Sequence, residues 1–350
     1  MLTGSCAVAL LGAASLTVGA IADDPQIVPL PDRDIQAPEA YVDPGKERLK
    51  DWMTGTIAPA AQQIAEGQNP VVQIAQTAGS SIQYMIGGLS LPDWLGRFEV
   101  EAELAAVESG DNLKPEFSVL TVQPLFQNAD KTETYFTQLQ ANYGHQFGDD
   151  RIWVNAGVGY REVLDNNTLI GANTFLDYDV EEQHLRASLG GEFKFNSVDI
   201  SANYYQALSD EKTVTSTQSE EALSGYDAEI RSQLPYLPWA RMGFRHYFWN
   251  TESAEENIKG YEVNLEMDVH QNFQVELAAS DDNFGEQEYR VRLRFINAPD
   301  KRPVALSNKF ITEHAFEARD MREHTLDKVR RENKIILEGQ SSGVVIARGT

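Results

Sequence analysis

The chain has 350 residues, 42% of them hydrophobic, and a net charge of −24 at pH 7. That acidity excludes a nucleic-acid partner, because phosphate binding needs a basic face. No run of about 18 apolar residues follows position 22, which excludes membrane-spanning helices.

Residues 1–22 are small and apolar and end in Ala20-Ile21-Ala22 before Asp23-Asp24. This has the apolar core and cleavage site of a secretory signal peptide, although the first basic residue is Arg33. The single cysteine, Cys6, lies inside this segment, so cleavage after Ala22 leaves a mature chain without disulfide or thiol chemistry. Residues 23–96 read as a linker with short helices. Residues 23–44 are rich in Pro and Asp, and helical patches at 46–54 and 71–86 are separated by Pro59, Gly67 and Pro70.

From 97 to 296 the chain repeats one pattern: about ten residues, alternately apolar and polar, then a polar turn. Side chains of an extended strand alternate faces with period 2, and about ten residues is the length of a tilted strand crossing a bilayer. Twelve segments follow: 97–105, 115–126, 132–147, 151–164, 168–179, 183–196, 198–208, 225–235, 240–249, 259–270, 273–281 and 286–296. The fold class is therefore all-β, a twelve-stranded antiparallel transmembrane barrel with one charged face and one apolar face.

The charged face is expected to line a pore. It carries Glu99, Glu101 and Glu103 in the first segment, Asn155 and Arg161 in the fourth, and Arg186 and Glu192 in the sixth. The eighth contributes Glu229 and Arg231, the tenth Glu262 and Glu266, and the last Arg290, Arg292 and Arg294. Val154, Val158, Tyr204, Val263, Leu265, Val291, Leu293 and Phe295 are expected to face lipid. Closure of the barrel pairs the first segment with the last, so the glutamate and arginine rows should meet. Tyr135, Tyr143, Tyr160, Tyr178, Phe193, Phe195, Tyr204, Phe248, Trp249 and Phe295 lie near segment ends and fit interfacial aromatic girdles.

Alternation alone also suits a soluble sandwich, so the connections matter. The long ones (106–114, 209–224 and 250–258) follow odd segments, and those after even segments are short, the asymmetry of outer-membrane barrels. An even count puts both barrel ends, and with them the N-terminal helices, on the short-turn, periplasmic side. In the tail, 297–350, residues 312–333 are predicted to form a charged helix inside the pore. A helix about 10–12 Å across fits a lumen wider than an eight-stranded barrel's. Strand-like runs follow at 334–338 and 343–347.

Several runs resemble the β-domain of the intimin/invasin family, the inverse autotransporters of type Ve secretion. They are Val154-Asn155-Ala156-Gly157-Val158-Gly159-Tyr160-Arg161, the run from Leu169 to Asp179, Leu185-Arg186-Ala187-Ser188-Leu189-Gly190-Gly191-Glu192 and Ser201-Ala202-Asn203-Tyr204-Tyr205. Gly225-Tyr226-Asp227-Ala228-Glu229-Ile230, Leu234-Pro235-Tyr236-Leu237-Pro238 and the run from Leu326 to Glu338 follow in the same order. The resemblance covers roughly 75–340. It implies a bacterial outer-membrane barrel with a periplasmic N-terminus and a C-terminal linker that threads the pore toward the cell surface. It also implies outer-membrane lipid, the barrel-assembly machinery and periplasmic chaperones as partners. A host receptor is implied only where an adhesive passenger exists. Two departures stand out. No peptidoglycan-binding module is evident before the barrel, and the sequence runs only about a dozen residues beyond the linker motif, so a passenger is expected to be missing.

No enzyme, cofactor or metal site is expected. None of the six histidines begins a His-x-Ser pair or a two-histidine ligand spacing. Asp177 and Asp179 share a face, but 53 acidic residues make such pairs common by chance. The alternative reading is a passive porin-like channel, which also needs a polar-lined barrel.

Overall fold

Each long strand pairs with its neighbours along the chain, and the last pairs with the first. The computed structural model describes residues 96–107, 115–147, 149–215, 218–285, 287–297, 302–306, 310–341 and 344–348. The expected signal peptide and the helical patches at 46–54 and 71–86 lie outside these.

The strands in chain order are β1 (Arg97–Val107), β2 (Pro115–Gln127), β3 (Glu133–Gln146), β4 (Asp149–Asp165), β5 (Thr168–Asp179), β6 (Leu185–Phe195), β7 (Val198–Ala207), β8 (Lys212–Thr215), β9 (Gln218–Ala222), β10 (Ser224–Leu234), β11 (Leu237–Asn250), β12 (Ile258–His270), β13 (Phe273–Asp282), β14 (Glu288–Asn297), β15 (Leu337–Ser341) and β16 (Val344–Arg348). Twelve of them, β1–β7 and β10–β14, form a closed antiparallel barrel. They match the twelve expected segments to within a few residues at each end.

The closing pair is β1 with β14. Glu101 lies opposite Arg294 and Glu103 opposite Arg292 in register. Both pairs form salt bridges, so the two charged rows meet as expected.

The connections keep the expected asymmetry. Two-residue turns join β4 to β5, β6 to β7, β10 to β11 and β12 to β13. The long connection after β7 holds β8 and β9. These two strands join β15 and β16 in a separate four-stranded sheet, ordered β16-β15-β9-β8, at the long-loop end.

The expected pore helix is not present. Among described residues, 310–336 holds only one short 3-10 turn, Met321–His324, and the rest is extended or irregular. The reason is spatial and chemical. Inward arginine and glutamate side chains occupy much of the lumen and pair with the tail and with each other. Polar wall groups instead bond the tail's backbone directly, and that replaces the bonds a helix would make within itself.

A second correction concerns Trp249. Neighbouring residues on a strand point to opposite faces, so Phe248 and Trp249 cannot both belong to an outer girdle. Trp249 is buried inside, packed with Tyr205, Leu223, Tyr247, Ile258 and Ile336.

Candidate functional site

The lumen is occupied by the chain's own tail, and its path can be followed bond by bond. The linker first skirts the short-turn rim. Ala305 and Leu306 donate backbone N–H groups to Asp268 and Val269 at the end of β12. Thr312 donates its N–H to the Tyr236 carbonyl, and Tyr236 donates to the Ala315 carbonyl at 2.8 Å. Arg319 then reaches Asn196 and Asp199 at the β6–β7 turn, and Met321 N–H bonds Asn166 at the β4–β5 turn. From there the tail ascends. Residues 325–336, at about 3.3 Å each, reach about 40 Å, more than a bilayer's hydrocarbon thickness.

Charge pairing holds the ascending part. Asp327 meets Lys194 at 2.5 Å and Lys328 meets Glu99 at 3.3 Å. Arg330 bridges Glu266 and Glu276, and Arg331 meets Asp177 at 2.6 Å. Glu332 accepts from Arg245 at 3.0 Å, and Lys334 pairs with Glu116. The backbone is met as well. Arg161 donates to the carbonyls of Thr325 and Asp327, Asn203 to Arg330, Arg186 to Glu332 and Asn155 to Asn333. Gln138 Oε1 accepts from Val329 N–H, and Tyr205 Oη accepts from Glu332 N–H. Removing either partner of such a buried bond strands the other, at roughly 1–3 kcal/mol for neutral groups and more for charged ones.

Apolar side chains anchor the tail between its charges. Met321 packs on Val163 and Leu169. Val329 packs with Leu120, Val122, Phe136 and Phe175, and Ile335 with Trp153, Ala222 and Leu337. Beside Phe175, Gly157 carries no side chain, and a Cβ there would come within 2.3 Å of the Phe175 ring. The ring can therefore lie flat, and the Arg331 guanidinium sits 4.4 Å above its centre. Cation–π contacts of this kind contribute about 0.5–2 kcal/mol.

At the long-loop end the tail leaves through β15. Leu223 N–H bonds the Ile336 carbonyl, and β15 continues along β9. The Glu338 carboxylate accepts from the backbone N–H groups of Glu252, Ser253 and Ala254. Arg151 ties β9 to the wall, with Glu220 at 2.6 Å and Asp179 at 2.8 Å. His184 is buried beside this cluster, within hydrogen-bonding distance of Ser209. Burial lowers its pKa to about 4, and burial raises that of Glu220 despite Arg151. Two cavities, of about 140 Å³ and about 270 Å³, lie beside the tail and have room for clusters of water.

All the expected pore residues lie on the inner face, buried or half-buried. Glu99, Glu101, Glu103, Asn155, Arg161, Arg186 and Glu266 touch the tail. Glu192, Glu229, Arg231, Glu262, Arg290, Arg292 and Arg294 pair within the wall. Of the residues assigned to lipid, Val154, Val158, Tyr204 and Val263 are exposed, Leu265, Val291 and Leu293 half-buried, and Phe295 buried. Asp177, Glu116, Arg245, Glu276, Phe175 and Tyr205 were missing from the expected pore set. The charged four could have been found by the alternation already used. The two aromatics could not, because an inward ring on an otherwise polar face has no signal of its own. Among the described residues, no group of three or more His, Cys, Asp or Glu is arranged to hold a metal ion.

Comparison with known proteins agrees with this architecture. Residues 61–333 match the family model "Inverse autotransporter, beta-domain". The putative attaching and effacing protein homolog of Escherichia coli K12 is 28% identical over 155 residues, 44% of this chain and 50% of that protein. The inverse autotransporter adhesin YeeJ of the same strain is 26% identical over 211 residues, 58% of this chain and 9% of the adhesin. This chain thus spans half or less of the length of these relatives. A solved structure from work on in-meso crystallization of membrane proteins superposes with a TM-score of 0.56 at 20% identity, covering 70% of this chain and all of that one, a likeness of fold. The match over most of the chain, on a closed twelve-stranded barrel, shows that the protein belongs to the inverse autotransporter β-domain family of the bacterial outer membrane.

Proposed function

We propose that the barrel anchors and exports its own C-terminal segment, with the N-terminus in the periplasm and the tail emerging at the cell surface. The observation that carries this reading is the tail itself. It is extended, it runs from the short-turn rim to the long-loop end, and its charges are paired with the wall along the way. An extended chain is the form in which a polypeptide can slide through a pore without unfolding a helix at each step. Outer-membrane lipid surrounds the barrel. The barrel-assembly machinery and periplasmic chaperones deliver it, and a surface receptor enters only through a passenger. The same lumen serves no catalytic role on this account, since its ionisable groups are consumed by pairing. A passive channel is the weaker account because the tail occupies the lumen.

The test is topological and electrical. An epitope tag placed after Thr350 should be reached by antibody on intact cells, and deletion of 318–350 should raise single-channel conductance in planar bilayers. A tag reached only after the outer membrane is permeabilised, with conductance unchanged by the deletion, would overturn the export reading.

A further inference from the structure

Before it enters the pore, the linker runs along the short-turn rim, and its two sets of side chains behave differently. Thr312, Glu317 and Arg319 bond to the barrel through backbone or side chain. Val304 is buried, but four larger apolar side chains between and before them are not. Leu306 is 74% exposed, Ile311 67%, Phe316 52% and Phe310 49%. Tyr236, in the β10–β11 turn to which this segment is bonded, is also exposed. A row of large apolar side chains facing water is costly, at about 25 cal/mol per Å² of apolar surface, so such patches mark a contact.

The position of the row identifies the contact. At the same end of the barrel the outer wall carries exposed rings. Phe126 and Tyr135 flank the β2–β3 connection with ring centres 6.1 Å apart, and Phe193 and Phe195 precede the β6–β7 turn. Between Tyr236 and Met242, by contrast, the wall exposes no large apolar side chain. The linker stands at that gap. The Phe310 ring packs 4.8 Å from the Trp239 ring, and the Trp239 indole N–H donates to the Phe310 carbonyl at 2.9 Å. An indole with its N–H satisfied and its ring beside apolar neighbours is the usual occupant of a membrane interface.

We propose that Phe310, Ile311 and Phe316, with Leu306, Tyr236 and Trp239, form an anchor that inserts into the phospholipid leaflet at the short-turn end and completes the aromatic girdle there. At the β2–β3 and β6–β7 turns the wall supplies that girdle with its own strands, and at β10–β11 the linker supplies it. The anchor also fixes the point from which the tail turns inward, so the start of the ascent is set by the bilayer as well as by the barrel. The inference rests on the barrel spanning a bilayer and is independent of export.

Site-directed spin labelling of the full chain in vesicles of phosphatidylethanolamine and phosphatidylglycerol tests it. With Cys6→Ser removing the only cysteine, nitroxides are placed by Ile311→Cys, by Glu313→Cys on the exposed polar side of the same segment, and by Leu189→Cys on the outer wall. Retained heat-modifiable gel mobility shows that each variant is folded. The expected result is a several-fold higher ratio of oxygen to water-soluble nickel accessibility at 311 than at 313, approaching the ratio at 189. A label at 311 as open to nickel as 313, while 189 stays shielded, would overturn the anchor and leave the patch to a periplasmic protein. Nickel access at 189 as well would overturn the bilayer placement and this inference with it.

Discussion

On strand β6, Leu189 and Phe193 are exposed on one face, whereas Arg186 and Ser188 on the other are buried. A soluble sheet has the opposite arrangement, with its apolar face inside. The inversion holds on β4, where Val154 and Val158 are exposed and Asn155 and Arg161 buried. The difference shows which medium each face was selected for. The outer face is stabilised by hydrocarbon and contributes nothing specific. The inner face has no bulk solvent to fall back on, so each charge needs a named partner. Disturbing the inner face should therefore cost more than equivalent damage outside, and should depend on the tail.

The largest effect is expected from Asp177→Ala. This carboxylate holds Arg186 at 2.9 Å and Arg331 at 2.6 Å, and all three side chains are fully buried. Stranding two buried guanidinium groups should cost about 3–5 kcal/mol in urea unfolding from lipid vesicles. A loss below about 1 kcal/mol would mean that water in the lumen screens these pairs, and the contrast between the faces would collapse. Next is Leu189→Arg on the outer face, expected to cost about 2–4 kcal/mol if the position is near the bilayer midplane, while Leu189→Ile should be nearly silent. Equal tolerance of both would place Leu189 outside hydrocarbon.

A smaller loss, about 1–3 kcal/mol, is expected from Gly157→Ala, because the new methyl group forces the Phe175 ring from beneath Arg331. Unchanged stability in the same unfolding assay would show that the ring has room to move. Glu338→Gln should weaken the hold on the 251–257 loop by about 1 kcal/mol, since charge-assisted bonds become neutral ones. The reading is faster protease cleavage in that loop with barrel melting unchanged. Cleavage at the wild-type rate would exclude Glu338 as the clasp.

The smallest effect concerns pH. His184 titrates in the fold at about 4, below the ordinary value of 6.5, so the unfolded segment binds the extra proton first. Its contribution is complete above about pH 6.5 and is lost as pH falls toward 4. Asp179, Arg151, Lys212 and Glu220 surround or act on it. Glu220, whose pKa is raised, acts in the opposite direction, favouring the fold more at low pH than at high. The protection factor of the β9 amides, which is the exchange rate relative to its intrinsic value at each pH, should fall modestly between pH 6.5 and 4, and His184→Gln should flatten the profile. An unchanged slope in that variant would assign the effect elsewhere.

Much of the wall was legible because a strand with period 2 states its two faces outright. Glu99-Val100-Glu101 and Arg292-Leu293-Arg294 each announce one charged and one apolar side. Their pairing follows from closure, which depends on strand count and not on any single residue. Loop lengths separated the two ends, and family resemblance in the run from Leu326 to Glu338 pointed to the tail's path through the pore.

The conformation of the tail was not legible. Residues 312–333 are charged, rich in helix-forming types and free of Gly and Pro, and in water that composition favours a helix. Only the assembled lumen supplies Arg161, Gln138, Asn203, Tyr205, Arg186 and Asn155 as partners for an extended backbone. Those six lie on β3 to β7, brought together by closure over separations of well over a hundred residues from the tail. The same holds for Trp249 and Phe175, whose rings turn inward to pack on Ile336 and Arg331. Local pattern decides which face a side chain takes. What that face will meet depends on the far side of the barrel, and that is set only when the sheet closes around the tail.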